Sequence, residues 1–191
     1  RDVNNNIVPS TAVTVTLTGT GGAVVGTISG TTDASGQISI DLTDTTAENL
    51  TVDYTVNAGA GAGDTAVSFV AGAASAANSS LATTSNGAVA DGVATNTVQV
   101  TVRDASNNIL ASTAVTVTLT GTGGAVVGTI AGTTDASGQI SIDLTDTTAE
   151  SLTVDYTVNA AVGAGDTAVN FVAGAASAAN SSIATTSNGA V

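Results

Sequence analysis

Residues 1–89 of this 191-residue chain recur, almost letter for letter, as residues 103–191. The period is 102 residues, and ten of the 89 paired positions differ. The exchanges are mild: Val8/Leu110, Ser29/Ala131, Asn49/Ser151, Ser68/Asn170 and Leu81/Ile183 are typical. A period near 100 is too long for one coil of a solenoid and matches the commonest size of an autonomous domain. The chain is therefore expected to fold as domain-sized units in tandem, such as recent duplication leaves in a long array. The repeat also sets the phase. Ala90–Val102 occurs once, so one period is complete and the flanking copies are cut. The expected organisation is a partial domain over 1–75 lacking its first strands, a complete domain over 76–177, and the first strand of a third repeat over 178–191.

Within a period the apolar residues alternate, the signature of a half-buried strand. In Thr97–Arg103 the valines 98, 100 and 102 share one face, and Thr97, Gln99, Thr101 and Arg103 share the other. Ala114–Thr120, Ile140–Leu144, Leu152–Val158 and Val169–Phe171 read the same way. Val and Thr are β-branched and suit a pleated surface. A one-residue slip would carry every valine to solvent, so the pattern also pins the register. Turn signals separate the runs. Asp104–Asn108 is placed at hairpin distance between two strands, and Gly138 in Asp135–Gln139 sits where a positive φ is expected. Asn86-Gly87 and Asp91-Gly92 are further turn dipeptides. Gly121–Gly124 and Gly163–Asp166 read as loops, and Asp146–Glu150 as a single helical turn. Seven or eight short strands per ~100 residues with frequent turns predict an all-β fold. It is an antiparallel β-sandwich of immunoglobulin-like architecture, repeated in tandem.

Composition removes most kinds of chemistry. Fifteen acidic residues face two arginines, for a net charge of −13, and there is no Lys, His, Cys, Met or Trp. No disulfide framework, thiolate metal site or cysteine nucleophile can form. The commonest general base is missing. Two arginines make neither a nucleic-acid footprint nor an anchor for an anionic membrane surface. No apolar run approaches the ~20 residues of a membrane helix. With 42% apolar residues, the charge does not imply disorder. Catalysis is not expected, and no catalytic residue is assigned.

The run Val93–Asn108 resembles the opening of bacterial immunoglobulin-like group 1 domains. So does Thr134-Asp-Ala-Ser-Gly-Gln-Ile-Ser-Ile-Asp-Leu-Thr145, followed by Leu152-Thr-Val and the closing Val169-Asn-Phe-Val172. The Gly/Ala-rich loop Gly59–Gly63 departs from that pattern. The resemblance implies tandem stalk domains like those of intimin- and invasin-like proteins and giant secreted repeat adhesins. They are extracellular or held on the bacterial cell surface, and non-catalytic. Identical repeats would be neighbours in one fibre, and any host or surface receptor would be met by other parts of the parent protein.

Calcium is the one cofactor weighed. Such a cation needs six to eight oxygens. The acid-free linker Ala71–Ala90 leaves Asp33, Asp64, Asp91 and Asp104 as candidates near domain junctions. No EF-hand loop or Gly-rich calcium nonapeptide occurs, and the alternative is that these aspartates are turn residues. The acidic groups Asp41/Asp44/Glu48 and Asp143/Asp146/Glu150 read as solvated strand ends. The threonine rows read as solvent faces of twisted strands, too irregular for an ice-binding template. Gly121–Gly124 lacks the GK[ST] of a phosphate loop. Arg1 and Arg103, each followed by Asp, are expected to form local ion pairs worth about 0–1 kcal/mol.

A sandwich without its first two strands would forfeit about 5 kcal/mol or more, at roughly 1.5–3 kcal/mol per buried valine. Two readings follow. In the favoured one, the missing strands belong to the same longer stalk. In the other, a neighbouring chain supplies them and the protein polymerises by strand complementation. A glycan- or protein-receptor-binding module is a further alternative, disfavoured because near-identical repeats are unlike the distinct domains that end an array.

Overall fold

The computed structural model describes residues 1–19, 28–121 and 130–184. Calls that fall on 20–27, 122–129 and 185–191, among them most of the Gly121–Gly124 loop, lie outside them. The chain divides into two compact units: residues 1–73 with 103–109, and residues 74–102 with 110–191. Both are built from β-strands.

The first unit holds β1 (Ala12–Thr18), β2 (Ile28–Thr31), β3 (Asn49–Val56), β4 (Gly59–Ala60) and β5 (Thr65–Ser68). They form one antiparallel sheet in which β1 lies between β2 and β3. The far edge of β3 is shared by β4 at one end and β5 at the other. Val13, Val15, Leu17 and Leu50 are buried on one face of this sheet, with Ile38, Ile40, Leu42, Val52 and Phe69 partly buried against them.

The second unit holds β6 (Ala74–Ser85), β7 (Asn96–Asp104, whose last two residues group with the first unit), β8 (Ala114–Thr120) and β9 (Ile130–Thr133). It continues with β10 (Gln139–Leu144), β11 (Ser151–Val158), β12 (Ala161–Val162) and β13 (Thr167–Asn170). One sheet runs β10-β7-β6, and the other runs β12-β11-β8-β9 with β13 also on β11. The two sheets bury a common core. β7 contributes Val98, Val100 and Val102, β10 gives Ile142 and Leu144, β8 gives Val115 and Val117, and β11 gives Leu152, Val154, Tyr156 and Val158. The alternation seen in the sequence is the alternation of burial, and β7 reads buried at every second residue. This unit is the expected all-β antiparallel sandwich, with eight described strands.

Four local expectations are corrected. Residues 71–90 are not a plain linker, because Ala74–Ser85 is the longest strand of the chain. Its small, polar sequence lacks strict alternation because it crosses the rim of the sandwich. Asn86–Ala90 then leave the β7 sheet for β13, as the main-chain bonds Gly87 N–H to Asn170 O and Val172 N–H to Ala88 O show. Asp146–Glu150 is a bend, not a helical turn. The Asp146 carboxylate accepts the Thr148 N–H at 2.7 Å, and this side-chain bond competes with helical bonding. The Asp104–Asn108 turn does reverse the chain, with an Arg103–Ile109 bridge, but β8 lies in the other sheet, so no hairpin of long strands results. Finally, the strand expected to open at 178 does not form over 178–184. Ala178–Asn180 is a short 3-10 turn, because the β7-like neighbour that pairs with β6 in the second unit has no counterpart there.

Candidate functional site

The chemistry-bearing side chains are aspartates, and most are used to close turns. Asp104 Oδ1 accepts the N–H groups of Ser106 and Asn108, both at 2.8 Å. Oδ2 accepts Gly72 N–H at 2.8 Å and the Asn108 side-chain amide at 2.9 Å. Asp135 binds Ser137 and Gln139 N–H in the same i+2, i+4 pattern. Asp33 binds Ser35 and Gln37 likewise, and Asp2 binds Asn4 and Asn6. D-A-S-N-N and D-A-S-G-Q are thus one five-residue turn in two spellings. Its fourth residue is left-handed, Asn107 at φ 69° and Gly138 at φ 69°, and Asn is the side chain that tolerates this region best after Gly.

These contacts bear on the calcium candidates. An ionised carboxylate offers about four lone-pair directions, and four N–H donors occupy those of Asp104. Asp91 Oδ1 takes Val93 and Ala94 N–H at 2.8 Å. Asp64 lies against Asp53, whose carboxyl is raised first by sharing a proton with Asp64 and then by its charge. Asp33 closes its own turn. The structure brings none of the four together, and among the described residues no group of three or more His, Cys, Asp or Glu is placed to hold a metal ion. Asp44 and Asp104 do line one hollow of about 220 Å³.

Two groups were missed in the sequence. Asp44 and Asp146 each keep Oδ2 buried without a hydrogen-bond partner, and Asp146 is fully buried. Asn96, also fully buried, accepts Ala88 N–H at 3.0 Å and donates to Asn170 O at 2.9 Å. It thereby fastens the segment after β6 to β13. An Asn at the start of a strand gives no sequence signal for this, since both partners are main-chain groups. The arginines donate to carbonyls within their own turns, Arg1 to Asn5 O and Arg103 to Asn107 O, both at 2.8 Å.

The turn locks carry a pH prediction. The Asn108 side-chain amide above all, then the main-chain donors, hold the Asp104 carboxyl down at about 2, against about 3.9 for an unfolded Asp. A depressed carboxylate contributes stability above its unfolded value and loses it as pH falls through the folded one. Hydrogen-exchange protection at Gly72, Ser106 and Asn108 is expected to hold down to about pH 4 and to vanish toward pH 2. In Asp104→Asn it should already be weak at pH 7, and unchanged protection in that variant would refute the lock.

The largest concavity lies in the first unit. It is an open apolar cleft of about 910 Å³ on the sheet face of Val13, Val15, Val52, Tyr54 and Val56, flanked by Ile38 and Ile40. In the second unit the equivalent residues are covered. Tyr156 is 1% exposed and donates its hydroxyl to Ser79 O of β6 at 2.6 Å, whereas Tyr54 is 37% exposed. Burial raises the Tyr156 phenol.

Two packed antiparallel sheets, no assembled catalytic group and turns closed by aspartate define an immunoglobulin-like module. The chain carries a bacterial Ig-like domain of group 1, matched over residues 78–172. Yersinia pseudotuberculosis InvD shares the fold, with a TM-score of 0.59 at 21% identity over 96% of this chain and 53% of that one. Invasin, described as a bacterial integrin-binding protein, matches at 27% identity over 91% of this chain and 34% of its own, with a TM-score of 0.49. FdeC, an Escherichia coli adhesin, matches at 22% identity over 91% of this chain and 57% of its own, with a TM-score of 0.46. The chain thus spans a third to just over half of these structures. No curated protein matches the chain in sequence. Among the described residues no helix is long and apolar enough to cross a membrane.

Proposed function

We propose that the chain is a non-catalytic extender segment of a bacterial surface or secreted adhesin, built from repeated Ig-like units. The observation that carries this reading is the 102-residue near-identity laid over an Ig-like sandwich. Near-identical modules add length, and the aspartates that could do chemistry are spent on closing turns. The structural relatives are bacterial surface adhesins, which supports an extracellular location and an adhesive parent protein. The contact with any host receptor is assigned to other parts of that parent.

Stretching single molecules between the chain's ends tests this. The sandwich of the second unit should release about 100 residues in one cooperative step, an extension gain of roughly 30 nm at about 3.5 Å per residue. A smooth extension without that step would sink the load-bearing reading. A filament assembled by strand exchange is the second reading, favoured by the open cleft of the first unit.

A further inference from the structure

The two units contain the same hexapeptide, Gln-Ile-Ser-Ile-Asp-Leu, at 37–42 and 139–144. In the second unit it is β10, paired with β7 in the register Ile140 to Val100 and Ile142 to Val98. In the first unit it is not a strand. Sequence and preceding turn are the same, and the Asp33 and Asp135 locks are alike. What differs is the neighbour, since β10 has a β7 beside it and residues 37–42 have none. Extended backbone is held by its ladder partner, so the missing strand explains the missing assignment.

We propose that the open face of the first unit is a strand acceptor. Its occupant is a segment with the chemistry of residues 74–104, supplied by another repeat and seated as β6 and β7 sit in the second unit. The β7-like strand would pair with Gln37–Leu42 and lay three valines into the 910 Å³ cleft. The β6-like strand would offer the carbonyl equivalent to Ser79 O to the Tyr54 hydroxyl. The Asn-Gly-Ala stretch after it would run along Ser68–Val70, as Asn86–Ala90 run along Asn170–Val172.

The acceptor is already shaped for this. Ile38 lies over Gly30 as Ile140 lies over Gly132. A Cβ on those glycines would meet the isoleucine Cδ1 at 2.7 Å and 2.5 Å. Leu50 is buried as fully as Leu152, and the exposed positions are those that β6 and β7 would cover. Val56 is 37% exposed against 2% for Val158. Two other occupants fit less well. The chain's own residues 176–191 repeat β6 but not β7, so they would leave the valine face open. A second copy donating its own β6–β7 would open an equal cleft in its second unit, with no net gain.

The test adds a synthetic peptide of residues 74–104 to the intact chain and follows amide exchange by NMR. Saturable 1:1 binding is expected, with alternate amides of Gln37–Leu42 slowed at least tenfold and the exchange of the second unit unchanged. A peptide carrying Val98→Asp and Val100→Asp should bind at least 100-fold more weakly. Tyr54→Phe in the chain should weaken the wild-type peptide about 2–10-fold, the worth of one hydrogen bond. No saturable binding, equal binding of the Asp peptide, or protection changes confined to the second unit would each overturn the proposal. So would a chain that, without peptide, dimerises by covering the same amides. Stretching the chain does not depend on this outcome, so the extender reading and the acceptor stand or fall separately.

Discussion

Val100→Asp is expected to abolish cooperative folding of the second unit at neutral pH. Val100 is fully exposed to the core and closed to solvent. It sits mid-strand in β7 opposite Ile140, with Val117, Val154 and Tyr156 in the same core. Losing the buried valine costs about 1.5–3 kcal/mol. A carboxyl group left there has no donor and escapes ionisation by taking up a proton. A shift of about 3–5 units on burial costs roughly 4–7 kcal/mol at pH 7, at about 1.4 kcal/mol per unit. The sum, about 6–10 kcal/mol, matches the whole stability of an ordinary domain, about 5–15 kcal/mol. The sign with pH follows. An acid whose folded value is raised destabilises above its unfolded value and ceases to do so below it, so folding should partly recover near pH 4. Thr101→Asp, one residue on and on the opposite face of β7, should cost less than about 1 kcal/mol. Urea titrations read by near-ultraviolet circular dichroism of the tyrosines measure both variants. A retained transition in Val100→Asp at pH 7 would show that the valine stripe is not the core.

That stripe was legible because its information is local. Val98, Val100 and Val102, or Leu152, Val154 and Tyr156, declare their buried face by period two alone. The turns were legible for the same reason, since Asp and the left-handed residue three positions on make their bonds within five residues. What alternation could not reveal was anything decided by a distant neighbour. β6 is nearly all Ala, Ser, Thr and Asn, and only its contacts with β7 and β13 make it a strand. Residues 37–42 carry a clean strand pattern and are not one, because the partner that would hold them has no counterpart in the first unit. Among the site candidates, Asp33, Asp64, Asp91 and Asp104 were chosen for where they fall in the sequence. Their bonds to main-chain N–H groups could not be read there. The buried oxygens of Asp44 and Asp146 were hidden for a related reason, because burial comes from the surrounding sheets.

The clearest consequence of that missing neighbour is that one substitution should have two costs. Tyr156 and Tyr54 occupy the same heptapeptide, Leu-Thr-Val-Asp-Tyr-Thr-Val, in β11 and β3. Each ring lies over a glycine, Gly163 and Gly61, that has no room for a side chain. Yet Tyr156 is sealed under β6 with its hydroxyl on Ser79 O, and Tyr54 faces the open cleft. Tyr156→Ala should cost the second unit about 3–5 kcal/mol, as large-to-small changes of aromatic core residues do. Tyr156→Phe should cost about 1–3 kcal/mol, because the Ser79 carbonyl is left buried without its donor. Tyr54→Ala should cost the first unit about 1 kcal/mol, since a half-open site loses less burial and leaves no sealed cavity. Equal losses for the two alanine variants in urea unfolding would mean that the first unit is closed in solution by something other than a β6-like strand. With the 74–104 peptide bound, the cost of Tyr54→Ala should rise toward that of Tyr156→Ala, because the same ring would then sit under the same strand.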